Sequence, residues 1–168
     1  MKRKSLICFL ITSVFLLAIT ACAPLSRQDT ISQALGLDVS KGEEVSHYDT
    51  HSGNGDGTSC FVLRFSDKNV LEQIQESAQW NAFPMDEIVT ALVYGISDDT
   101  SSIGPFLSDE NGEPLVPDIQ QGYYLLLDRQ TVADQSETTD ILQRASFNFT
   151  LALYDTQTDT LYYCELDT

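Results

Sequence analysis

Both histidines of the chain, His47 and His51, lie in one short stretch with Asp49 and Asp56 beside them, VSHYDTHSGNGDGTSCFVLRF from Val45 to Phe65. Three chemistries are open to this set. Imidazole and carboxylate together suit zinc or a similar transition ion. Asp49, Asp56, Asn54 and backbone carbonyls in a glycine loop suit calcium. The spacing is not that of an EF-hand, because Gly57 follows Asp56 and no Glu closes the loop. The second chemistry is hydrolysis, with His51 as general base and Asp49 or Asp56 orienting it. Ser52, Thr58, Ser59 and Cys60 stand nearby as nucleophiles, but none sits in a GxSxG motif. The chain also has no phosphate loop and no dinucleotide fingerprint. The third reading is a binding or accessory module that recognises a protein, peptide or wall component through this shaped loop or through the Ser97 to Gln121 loop. Set against all three is a purely structural hairpin, in which glycines supply turn geometry and Asp and His side chains cap backbone amides. The stretch is thus a candidate binding loop of His47, Asp49, His51, Asn54 and Asp56. The sequence assigns no catalytic residue and no cofactor, and it leaves a metal open.

Two strands must position these residues. Val45 to Asp49 is polar for a strand, whereas Cys60 to Phe65 alternates and is rich in strand formers. Alternation puts Val45, His47 and Asp49 on one strand face and leaves His51 and Asp56 in the turn. Gly-Asp-Gly provides the backbone freedom of a tight hairpin.

The rest of the chain reads as mixed helix and strand. A helix is expected over Asp29 to Leu35, capped by Asp29 or Thr30 and ended by Gly36. A second starts at Asp67 after a Ser66 cap, with Val70, Leu71, Ile74 and Ala78 as its apolar stripe. A third runs from Asp86 to Tyr94 and stops at Gly95. Ser97 to Gln121 holds Pro105, Pro114 and Pro117 and shows little periodicity, which reads as a long loop or as short strands. Gly122 to Asp128, GYYLLLD, is the most apolar strand outside the amino terminus, and reads as central. Arg129 to Arg144 reads as a loop with a helical turn near Thr139 to Arg144. Ser146 to Asp167 is a strong hairpin signal, with its turn centred on Gln157 and Thr158. Pairing about that centre sets Tyr162 against Leu153 and Cys164 against Leu151, so that Tyr162, Cys164 and Leu166 face the core. The expected fold class is α+β: a mainly antiparallel sheet of about five strands with two or three helices packed on one face.

The amino terminus is a different kind of sequence. Met1 to Lys4 is a basic flank, and Leu6 to Ile19 is an apolar run too short to span a bilayer comfortably. Together they fit an export signal. Ile19-Thr20-Ala21-Cys22 then resembles the lipobox of bacterial lipoproteins, with Ile in place of the commoner Leu. The resemblance implies cleavage before Cys22 and acylation of its thiol, with palmitate-like chains holding the protein to the cell membrane, facing outside the cytoplasm. Two or more chains anchor a protein stably. The expected organisation is a signal peptide at 1–21, a lipidated linker at 22–28 and one α+β domain at 29–168. Loss of Lys2, Arg3 and Lys4 with the signal shifts the formal charge from −16 to −19. Such an acidic domain repels nucleic acid, so none is expected as a partner. An envelope protein or wall component fits better.

Two cysteines remain for the domain, in a compartment that permits disulfides. Phe61, Leu63 and Phe65 define an inward face that turns Cys60 outward, while Cys164 faces inward. Residues on opposite faces bridge only through a bulge or bend, so the alternation argues against a disulfide without closing the question.

LGLDVS and YDTHSGNGDGTSC within Leu35 to Phe65, GYYLLLDR, and FNFTLALYDTQTDTLYYCELDT from Phe147 to Thr168 together resemble a family of small exported or membrane-anchored proteins of low-GC Gram-positive bacteria. The resemblance implies export and brings no assigned activity. The glycine tip of that family is often longer and carries a further His. Here the tip is Ser52-Gly53-Asn54-Gly55, which weakens a metal reading.

Overall fold

The computed structural model describes residues 25–133 and 139–168. The signal at 1–21, Cys22 and the first part of the linker lie outside the described residues. The fold class is α+β, as expected. A six-stranded antiparallel sheet, larger than the five strands expected, runs β1 (Glu43–Asp49), β2 (Gly57–Arg64), β8 (Thr160–Asp167), β7 (Asn148–Asp155), β6 (Gly122–Asp128) and β3 (Asn81–Ala82). A small separate ribbon pairs β4 (Ile96–Ser97) with β5 (Ser102–Ile103).

The centre of the sheet is the β7–β8 hairpin, whose register is the one the alternation predicts. Leu151 pairs with Cys164 and Leu153 with Tyr162. The expectation that Gly122 to Asp128 is central is corrected: only the two-residue β3 lies beyond it.

The helices do not share one face, and this is the main correction to the expected architecture. Odd and even positions of the central strands feed two cores. On the first face, Phe61, Leu63, Ala152, Tyr154, Leu161 and Tyr163 pack with α1 (Arg27–Leu35) and α2 (Asn69–Glu76), through Ile31, Leu35, Val70 and Ile74. On the second, Cys60, Phe149, Leu151, Leu153, Cys164 and Leu166 pack under α3 (Glu87–Val93), through Val89, Leu92 and Val93. A strand covered on both faces loses its hydrophobic–polar alternation, because both of its sides are apolar. From Phe149 to Asp155 no residue of β7 is exposed.

The long segment after α3 completes that second cover. Its Leu107, Val116 and Ile119 are buried with α3. The backbone N–H groups of Phe106 and Leu107 both donate to Leu92 O. Tyr94 donates its hydroxyl to Pro117 O at 2.6 Å and accepts from Ile119 N at 3.2 Å. The segment is therefore an ordered lid built largely on single anchored residues, which have no period to read.

Helix ends follow the sequence with small shifts. Ser26, not Asp29 or Thr30, caps α1, and Asp29 returns the bond to the Ser26 backbone as a capping box. The helix thus begins inside the stretch read as linker. Gly36 ends it in the left-handed conformation. α2 starts at Asn69 without a side-chain cap from Ser66. Asp86 caps α3 as expected. Arg129–Ala133 forms a short α4 and Ile141–Gln143 one turn of 3-10 helix.

Because Cys60 and Cys164 pair directly across β2 and β8, they face the same side, and they form a disulfide. A sheet with one buried face would turn Cys60 to solvent. With both faces buried, Cys60 turns away from Phe61 and into the second core. Removing the bridge by Cys60→Ala/Cys164→Ala is expected to cost about 2–5 kcal/mol in urea unfolding. Leu153→Ala, at a fully buried site, is expected to cost about 2–5 kcal/mol with the disulfide intact.

Candidate functional site

The hairpin between β1 and β2 forms as the sequence predicts, and its tip is closed by its own backbone. Thr50 N donates to Thr58 O at 3.0 Å, Ser52 N to Asp56 O at 3.1 Å and Gly55 N to Ser52 O at 3.0 Å. Gly55 takes a φ of 93°, which a side chain disfavours. Gly57 is needed for closeness instead: a Cβ there would overlap the backbone of His51.

The five candidate residues do not converge. Asn54 and Asp56 are spent inside the tip, where Asn54 Nδ2 donates to Asp56 Oδ2 at 2.7 Å and Ser52 Oγ donates to Asn54 Oδ1. His47 turns to the flat of the sheet. Its ring stacks on Phe61 with centroids 5.9 Å apart, and its Nδ1 lies 2.9 Å from Glu44 Oε1. The guanidinium of Arg27 sits 4.1 Å from the centroid of the same Phe61 ring.

Asp49 and His51 do meet, together with a residue the sequence reading missed. Asp49 Oδ1 accepts from His51 N at 2.9 Å and lies 2.9 Å from His51 Nδ1. On the far side of the ring, Nε2 lies 3.2 Å from Asp167 Oδ2. Asp167 in turn accepts from Arg129 Nη2, 2.9 Å from both carboxylate oxygens. Arg129 also donates to Phe149 O at 3.0 Å and to Glu165 Oε1 at 3.4 Å. Glu165 accepts from the Tyr163 hydroxyl at 2.9 Å. One imidazole thus pins the glycine tip to the last strand. The signal that would have found Asp167 is the β2–β8 register, which sets Gly57 opposite it.

This geometry limits the chemistry. The two carboxylates bind opposite nitrogens of one ring, so no single ion can take all three as ligands. Among the described residues no group of three His, Cys, Asp or Glu side chains is placed to hold a metal. With both nitrogens engaged, His51 has no lone pair or proton left for a hydroxyl nucleophile. Of the neighbouring nucleophiles, Cys60 is in the disulfide and Ser59 is buried. The arrangement is a clamp on a loop.

Beside the clamp, α1 and the sheet leave an open cleft of about 330 Å³, lined in part by Arg27, Ile31, Phe61, Tyr163 and Glu165. Comparison of the chain with protein-family models, curated proteins and solved structures gave no match. The site must therefore be read from its own geometry.

The clamp is pH-dependent. Partial burial disfavours the imidazolium of His51, but the bonds to Asp49 and Asp167 and their charges together outweigh it, and its pKa is raised above 6.5. The Asp49 carboxyl is lowered, first by the His51 N–H and then by the ring. A group raised in the folded state stabilises fully below its unfolded pKa and loses that contribution as pH rises through the folded value. Stability should therefore fall as pH rises past the raised His51 value. His51→Ala is expected to remove that pH step and to cost about 1–2 kcal/mol at pH 6, measured by urea unfolding across pH.

Proposed function

We propose that the chain is a bacterial lipoprotein, tethered by acyl chains on Cys22 to the outer side of the cell membrane, and that its domain serves there as a binding or accessory module. The observation that carries the compartment is the buried Cys60–Cys164 disulfide, since such bonds persist in oxidising environments and are rare in the cytosol. The basic flank, short apolar run and Ile19-Thr20-Ala21-Cys22 of the sequence supply the export signal and the acylated thiol. Among the described residues no helix is long and apolar enough to cross a membrane.

Support for binding over catalysis comes from the clamp. His51 is the best general base the sequence offers, and Asp49 and Asp167 occupy both of its ring nitrogens. A loop held in shape by charge and hydrogen bonds suits recognition, where preorganisation lowers the cost of ordering. The acidic surface disfavours nucleic acid and suits a cationic or neutral envelope ligand.

The test is acylation. Intact mass of the protein purified from membranes is expected to show a chain beginning at Cys22 with at least two acyl groups. Cys22→Ser is expected to abolish the acyl mass and the cleavage before residue 22, leaving Leu6 to Ile19 on the chain. A membrane-purified chain with no acyl mass at Cys22 would overturn the reading.

A further inference from the structure

The open edge of the sheet is the part of the molecule whose chemistry the clamp does not use. β1 is an edge strand of seven residues, about 24 Å long. Apart from Tyr48, every residue in it is exposed. A strand normally buries at least one face. This one is held by its ladder to β2 and by a few side-chain contacts, and carries Val45 among the exposed large apolar residues.

The backbone of β1 can be read group by group. Thr50 donates to Thr58 across the hairpin. Antiparallel pairs alternate between bonded and non-bonded. With the register Tyr48 to Cys60 and Ser46 to Val62, Tyr48 and Ser46 turn their N–H and C=O groups toward β2. The groups of His47 and Asp49 then point away from the sheet. Among the described residues no backbone partner meets them. An outward row of this kind is what an added strand pairs with.

Charge selects the occupant. Glu43, Glu44 and Asp49 line the strand, and the whole chain carries a formal charge of −16. A second copy is disfavoured, because antiparallel self-pairing about Ser46 sets Glu43 against Asp49. Acidic side chains on an edge repel copies of themselves and attract a cationic strand of another protein. Glu43 has no ion pair among the described residues, whereas Glu44 meets Arg27 and His47, and Asp49 meets His51. Glu43 is thus the acid with charge to spare. The bulge between Glu44 and Ser46 confines clean pairing to the half of the strand from Ser46 to Asp49, next to the clamped tip. The clamp then has a purpose at this edge: it keeps Asp49 and the end of β1 extended.

We propose that β1 is a docking edge for an extended basic peptide segment of a partner protein, which adds to the sheet as a seventh strand through the outward groups of His47 and Asp49. The proposal rests on the binding-module reading above and gives that reading a partner class and a place.

The test uses the acylated chain purified in detergent and a capped seven-residue peptide alternating Lys and Val. The controls are the same peptide with Glu for Lys, and the Lys peptide N-methylated at every internal amide. Hydrogen exchange resolved by residue is read at His47 and Asp49. The Lys peptide is expected to slow exchange at both by about tenfold or more, with protection falling as salt rises. Neither control should protect them, and Glu43→Lys should weaken the Lys peptide several-fold. Unchanged exchange at His47 and Asp49, or equal protection by the N-methylated peptide, would overturn the proposal. So would protection confined to the cleft beside α1. Should the edge fail while Cys22 is acylated, the tethered-module reading stands without it. Should Cys22 carry no lipid, that reading falls whatever the edge does.

Discussion

Everything in this molecule depends on burying the β7–β8 hairpin from both sides. Phe149, Leu151 and Leu153 face one core while Ala152 and Tyr154 face the other, and all five are fully enclosed. A central strand with two apolar sides needs two covers, and a chain of this size has few helices to spare. The first face takes α1 and α2. The second takes only α3 as a full helix, and the irregular segment after it, through Leu107, Val116 and Ile119, and the 3-10 turn, through Ile141, add further apolar area. That division explains why an aperiodic, proline-bearing stretch is ordered: it does the work of a missing helix.

The same requirement decides where polar chemistry can sit. Between the two covers the sheet interior admits little charge, so ionisable groups collect at the edges and ends. Tyr154 illustrates the limit. It is fully buried, its hydroxyl reaches Asp159 Oδ1 at 3.1 Å, and burial drives its pKa far above the usual phenol value. At the opposite end Arg144, nearly enclosed, holds Asp128 at 2.7 Å. Burial raises the Asp128 carboxyl, but the bonds from Arg144 and Thr131 outweigh it and hold it at about 2. The His51 clamp belongs to the same pattern: half-buried charges at a sheet end, paired with one another.

Local patterns carried much of this into the sequence. The register of the last hairpin was legible because its turn is short and polar and its strands alternate. Helix stops at Gly36 and Gly95 were legible from glycine geometry. What alternation cannot say is how many faces are buried. Reading Phe61, Leu63 and Phe65 as the inward side made Cys60 an outward residue, and the dominance of hairpins gathered the helices onto one face of an antiparallel sheet. At the site, the local pair Asp49 and His51 was visible, while Asp167 and Arg129 were not. They reach the tip only through the β2–β8 and β6–β7 pairings, which depend on the whole sheet.

The disulfide has a consequence for the continuity of the chain. Cys60 and Cys164 are 104 residues apart in sequence, so α2, α3, the irregular lid and strands β3 to β7 all lie within one covalent ring. A protease that cuts an exposed loop anywhere in that ring opens it without releasing a fragment. Both new ends stay attached, and the first cover and the central hairpin remain one molecule. In an environment rich in secreted proteases, a nicked copy of this protein would keep its mass until its disulfide was reduced.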